Sequence, residues 1–171
     1  MDECGECGFH YDLGRATGVG DTIATQAGDV ATLLLDGDDA ALRQRRRPDV
    51  WSPLEYACHL RDVLLVQRER LLAARRRDTP SFEPMGRDER VDHDGYADQC
   101  PADVARQLED AAGLFANVLA RLGPDDWDRT GLYNYPEPTE RSLRWIAVHT
   151  LHELHHHRLD IVSQMPHGGG S

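Results

Sequence analysis

Apolar positions recur at spacings of three and four residues in four stretches of the chain, and start and stop signals bound each stretch. The first stripe, Ile23, Ala27, Val30, Ala31 and Leu34, predicts a helix over roughly 21–35. The second opens at Ser52-Pro53-Leu54-Glu55, with serine at the N-cap, proline at the first turn and glutamate placed to close a capping box. Its inward face, Tyr56, His59, Leu60, Val63, Leu64, Gln67, Leu71 and Leu72, carries the helix to about Arg76. The third follows Cys100-Pro101 and runs to Leu122, where Gly123-Pro124 stops it; Val104, Leu108, Ala111, Ala112, Phe115, Val118, Leu119 and Leu122 are its core positions. The fourth runs from Ser142 to about Ser163 and carries Leu143, Ile146, Val148, Leu151, Leu154, Leu159 and Ile161.

No stretch alternates as a strand does, and no segment repeats. The expected fold class is therefore all-α, a four-helix bundle with long connecting loops. The connections over 78–99 and 123–141 are long and polar, and they hold Phe82, Met85, Tyr96, Trp127, Tyr133, Asn134 and Tyr135. Loops of this length in a compact domain often carry function, and these side chains suit the roof of a pocket. The chain divides into a cysteine-bearing extension over 1–20, the bundle over 21–165, and a tail over 166–171 whose glycines read as flexible.

With 171 residues, 40% apolar and 29% charged, the chain has the composition of one soluble domain. No apolar run approaches a membrane span, and the acidic, cysteine-bearing N-terminus is not a secretory signal, so a cytoplasmic protein is expected. A net charge of −11 argues against nucleic acid. The arginine triplets at 45–47 and 75–77 lie near predicted helix C-termini, where they complement the helix dipole. All 19 basic residues are arginine, which excludes lysine chemistry and suggests a GC-rich, actinobacterial genome.

The densest chemistry lies in His149-Thr150-Leu151-His152-Glu153-Leu154-His155-His156-His157. His152 and His156, four apart, share a helix face and suit one divalent ion. Two histidines leave a third ligand to come from elsewhere, and His59 is the candidate. A single histidine on an apolar face is ordinarily a hydrogen-bonded core residue, but three imidazoles buried together need something to satisfy their nitrogens. His59, His152 and His156 with an open position would make a catalytic metal site. Zinc is the expected ion, with nickel, iron and manganese as alternatives. Glu55 and Asp160, one helical turn from His59 and His156, are placed to receive the ligands' other N–H groups. His149 would flank the site, and His155 and His157 would point elsewhere. A competing register pairs Glu153 with His157.

The Trp-Ser-Pro-x-Glu-x-x-x-His segment over 51–59, followed by the His-x-x-x-His pair of His152 and His156, resembles the DinB/YfiT-like four-helix metalloproteins, to which the mycothiol-dependent maleylpyruvate isomerases are related. The resemblance runs from about Asp21 to Gln164. It implies one divalent ion on His59, His152 and His156. It also implies a transferase of a low-molecular-weight thiol, mycothiol in an actinobacterium, with that thiol and an electrophile as substrates. The alternatives are a metal-dependent hydrolase and a non-catalytic metal-binding or interaction module. Tyr96, Tyr133 and Asn134 are candidate substrate contacts, no residue is assigned to catalysis itself, and a homodimer is compatible with every reading.

Cys4-Gly5-Glu6-Cys7-Gly8 departs from that pattern. It reads as half of a zinc knuckle that would draw further ligands from His10, Cys58, Cys100 or a partner chain. A redox pair and a disordered tail are the other readings.

Overall fold

The computed structural model describes residues 3–165, so the tail expected to be flexible over 166–171 lies outside the described residues. Four long helices form the frame: α1 (Val19–Asp36), α3 (Pro53–Arg76), α5 (Pro101–Leu119) and α6 (Leu143–Gln164), with short α2 (Asp39–Arg43) and α4 (Arg87–His93) between them. The helix α3 starts where its signals place it. The Ser52 hydroxyl accepts from the Glu55 N–H, and the Glu55 carboxylate accepts from the Ser52 N–H at 2.7 Å. The helix α5 ends at Leu119, before Leu122, and Leu159 of α6 is exposed rather than inward.

Each of α1 and α3 packs against both α5 and α6, so the helices form a ring in which α1 faces α3 across the core. Ile23, Val30, Leu60, Leu64, Leu108, Phe115, Ile146 and Leu154 are fully buried in it. Burial of such side chains stabilises the fold by about 1.5–3 kcal/mol each. Arg46 donates to the Gln164 carbonyl at 2.6 Å, placing positive charge at the C-terminus of α6.

The long connections are not all loop. The strands β1 (Ser81–Phe82), β2 (Thr130–Asn134) and β3 (Pro138–Ser142) form a sheet in the order β1-β2-β3, with β1 parallel and β3 antiparallel to β2. The inward positions of β2 are Gly131 and Tyr133, and β3 carries no apolar inward residue, so no apolar alternation marks either strand. Gly131 is required by packing, because a Cβ there would lie 2.2 Å from the Phe82 ring. The sheet brings Tyr133 beside α3, and α4 brings Arg87 to the same end of the bundle.

A buried ionic cluster holds the α4 region against α3. The carboxylate of Asp62 accepts from Arg61 Nε at 2.8 Å, from Arg90 at 3.1 Å and from the Tyr96 hydroxyl at 2.6 Å.

Candidate metal centre

Helix α6 turns about 100° per residue. Its buried residues Leu143, Ile146, Leu154 and Ile161 define the direction of the core. Measured from Leu154, His157 and Glu153 lie about 60° and 100° to one side, whereas His152 and His156 lie about 160° round, on the far side. The expected trio is therefore divided. The structure groups His59 with Glu153 and His157, and it groups His152 and His156 with Cys4 and Cys7. His157, expected to point elsewhere, is instead in the inner group, which is the competing register.

In that group His59 Nε2 lies 3.8 Å from Glu153 Oε2, and His157 Nε2 lies 3.6 Å from the same oxygen. Both separations are too long for hydrogen bonds. Two donors on one tetrahedral ion stand about 3.3–3.8 Å apart, so the spacing suits a shared ion. His59 is 1% exposed, and neither of its ring nitrogens has a hydrogen-bond partner among the described residues. Such orphaned nitrogens are costly in a core unless they bind something. One carboxylate and two imidazoles are an ordinary donor set for a divalent ion, with positions left open for a substrate. The residues present fit a metal.

The surroundings set the charge and orientation of these groups. Asp160 accepts from His157 Nδ1 at 2.8 Å, which turns Nε2 toward Glu153. Burial pulls the His157 pKa down, but Asp160 and Glu153 outweigh it and push it up to about 9. Burial pulls the His59 pKa down and outweighs the Glu153 carboxylate beside it. Burial raises the Glu153 carboxyl, but the imidazoles of His152, His157 and His59 beside it hold it well below the usual carboxylate range. Of the two expected outer partners, Asp160 therefore serves His157, and its carboxylate stands 3.7 Å from His156 Nε2. Glu55 is taken up by the capping box and by Arg45, which donates to it at 2.6 and 2.7 Å.

A cavity of about 270 Å³ opens over this group; His59, Glu153, His149, Gln67, Arg70, Arg87, Tyr133 and Tyr135 are among its lining residues. Gln67 Nε2 donates to the Tyr133 oxygen at 3.1 Å, and the Arg70 guanidinium lies 4.6 Å over the Tyr133 ring. Burial raises the Tyr133 pKa, so the phenol keeps its proton and can donate it into the cavity. His149 stacks on Trp145 at 4.4 Å, and burial lowers its pKa to about 4, which keeps it neutral. Of the expected substrate contacts, only Tyr133 lines this cavity. Asn134 is bound to the Ser81 hydroxyl, and Tyr96 is wholly buried with its hydroxyl committed to Asp62, a role its loop position did not signal.

The N-terminal extension packs along α6. The ring of Phe9 lies against His152 and His155, and the Tyr11 hydroxyl sits 2.9 Å from His149 Nδ1 and 2.8 Å from His152 Nδ1. Of the other ligands considered for Cys4 and Cys7, His10 is exposed beside Glu3, Cys58 is buried beside the Tyr96 carbonyl, and Cys100 is exposed ahead of α5. No helix among the described residues is long and apolar enough to cross a membrane.

The sequence matches the DinB superfamily over residues 23–161. Two solved structures share the fold. One is YfiT from Bacillus subtilis, described as a probable metal-dependent hydrolase with an unusual four-helix bundle topology. It has a TM-score of 0.71 at 17% identity, covering 85% of each chain. The other is the mycothiol-dependent maleylpyruvate isomerase, with a TM-score of 0.70 at 13% identity. That match covers 88% of this chain but 60% of the isomerase. No protein of curated function matches the sequence.

Proposed function

This chain belongs to the DinB superfamily, and on that premise we propose that it is a divalent-metal-dependent enzyme whose ion is held by His59, Glu153 and His157. The observation that carries the proposal is the buried His59, whose ring nitrogens have no partner among the described residues and whose Nε2 faces Glu153 at the base of a cavity. A divalent ion there, zinc being favoured by the donor set, supplies Lewis-acid polarisation and makes a thiol or water nucleophilic at neutral pH.

The chain's own residues then divide the work. Asp160 fixes the His157 ring, Tyr133 donates a hydrogen bond to the substrate, and Arg70 and Arg87 place positive charge near an anionic group. The apolar walls, Val63, Val66 and Met85, restrict water. The finer reading is S-transfer of a low-molecular-weight thiol, mycothiol, to an electrophile. The all-arginine composition and the mycothiol-dependent structural neighbour support it. The neighbour described as a hydrolase favours water as the competing nucleophile.

The test is to load metal-free protein with zinc, supply mycothiol and a panel of electrophiles, and follow loss of free thiol. Metal-dependent thiol consumption, abolished in Glu153→Gln, is expected. Metal-dependent ester or amide cleavage that ignores the thiol would move the assignment to hydrolysis. Equal rates with and without metal would end the proposal.

A further inference from the structure

We infer that Cys4, Cys7, His152 and His156 form a second, coordinatively closed zinc site that fastens the N-terminal segment to α6. The four donor atoms all lie within 4.8 Å of one another. Cys4 Sγ and His156 Nδ1 are 3.8 Å apart, close to the spacing of about 3.5 Å for sulfur and nitrogen on one tetrahedral zinc. Two thiolates and two imidazoles match zinc in charge and softness, and four protein donors leave no position for a substrate. The site is therefore structural, unlike the three-donor group of His59, Glu153 and His157.

The segment is folded for this purpose before any ion is considered. Gly8 donates its N–H to the Cys4 carbonyl at 2.8 Å, and the Cys4 N–H reaches the Phe9 carbonyl at 2.9 Å. That turn needs the positive φ of +70° that Gly8 adopts. It brings both sulfurs to the same side, over α6. A second observation comes from the helix: His152 Nε2 is buried and has no hydrogen-bond partner among the described residues. Tyr11 accounts for the other nitrogen. Its hydroxyl bridges His149 Nδ1 and His152 Nδ1 and has one proton to give; given to His149, it accepts from His152 Nδ1–H, the tautomer zinc binding at His152 Nε2 requires. Ion binding releases the thiol protons to solvent and transfers no electrons. Because Tyr11 also holds His149, a cavity residue, closing this site sets one wall of the inner cavity.

The test is a cobalt(II) titration of the metal-free, reduced full-length chain, read by absorption. Cobalt reports each site separately, since only thiolate ligands give an intense near-ultraviolet charge-transfer band. Wild type should take up a thiolate-bound equivalent with that band and tetrahedral visible bands. The Cys7→Ser variant and the His152→Ala variant should each lose the band and at least tenfold in affinity for that equivalent, while His59→Leu keeps both. Far-ultraviolet circular dichroism of each variant shows whether the helices persist. Three outcomes would overturn the inference: no charge-transfer band in wild type, a band that survives His152→Ala in a folded protein, or a Cys4–Cys7 disulfide that forms as readily with zinc present as without it. Loss of the inner site in His59→Leu leaves this result untouched, so the two assignments fail separately.

Discussion

Replacing His59 by leucine separates a metal ligand from an ordinary core histidine. In the metal-free protein both ring nitrogens are buried without partners. Each such group costs about 1–3 kcal/mol, so an apolar side chain of similar size relieves about 2–6 kcal/mol. Against this, leucine gives up the ring contacts to Trp51 at 5.1 Å and to His157 at 5.0 Å. Those are worth about 0.5–1.5 kcal/mol each. Taken at their midpoints these favour the variant by about 2 kcal/mol, a rise of about 4–8 °C in Tm for a chain of this size. With zinc the order reverses. At about 100 times its Kd an ion stabilises by about 2.7 kcal/mol, or about 5–11 °C, and His59→Leu cannot gain that share at the inner site. The assay is thermal unfolding of both proteins after chelator treatment and again with zinc. Any shift from the Cys4 and Cys7 cluster is common to both and cancels in the difference. A chelated variant that melts more than about 4 °C below wild type would refute the reasoning, as would an undiminished zinc shift.

Other consequences follow from the same structure. Asp62→Ala leaves Arg61 buried beside Tyr96 without its carboxylate and should cost about 3–5 kcal/mol in urea unfolding, with helix content retained; a loss under 1 kcal/mol would show the cluster to be dispensable. Burial pushes the Cys58 thiol up to about 12, so at pH 8 a maleimide should label exposed Cys100 ahead of Cys58 and reach Cys58 only on unfolding. Equal labelling rates in mass spectrometry of the folded protein would contradict this. Burial raises the Glu55 carboxyl, but Arg45 and the Ser52 N–H outweigh it and leave its pKa lowered. Stability from that group is thus present above the ordinary carboxylate pKa of about 4.3 and disappears as pH falls through the lower folded value. Glu55→Gln should flatten the acid limb of stability between about pH 5 and 3, and an unchanged acid limb would remove Glu55 from that role.

The helical frame was legible because its signals are local. Ser52, Pro53 and Glu55 mark the start of α3, and the apolar stripes set the inward faces. The choice among the histidines was legible too, had the direction of the core been taken from Leu143, Ile146, Leu154 and Ile161. That direction leaves His152 and His156 facing away from it and brings Glu153 and His157 toward His59. Counting only histidines hid the carboxylate ligand. The sheet escaped because β2 points a glycine and a tyrosine inward, so close packing of Gly131 on Phe82 replaces the usual alternation. Tyr96 looked like a loop aromatic because its partner, Asp62, lies a long way back in the chain. Nothing near Cys4 and Cys7 in sequence points to His152 and His156; only the fold of the N-terminal turn over α6 joins them.

The central claim concerns which residues hold the catalytic ion, and anomalous diffraction at the zinc edge from crystals grown with zinc tests it most directly. The account predicts a peak about 2.0–2.2 Å from His59 Nε2, a Glu153 carboxylate oxygen and His157 Nε2. A peak joining His59 to His152 and His156, or no density beside His59 at full zinc occupancy elsewhere, would contradict it.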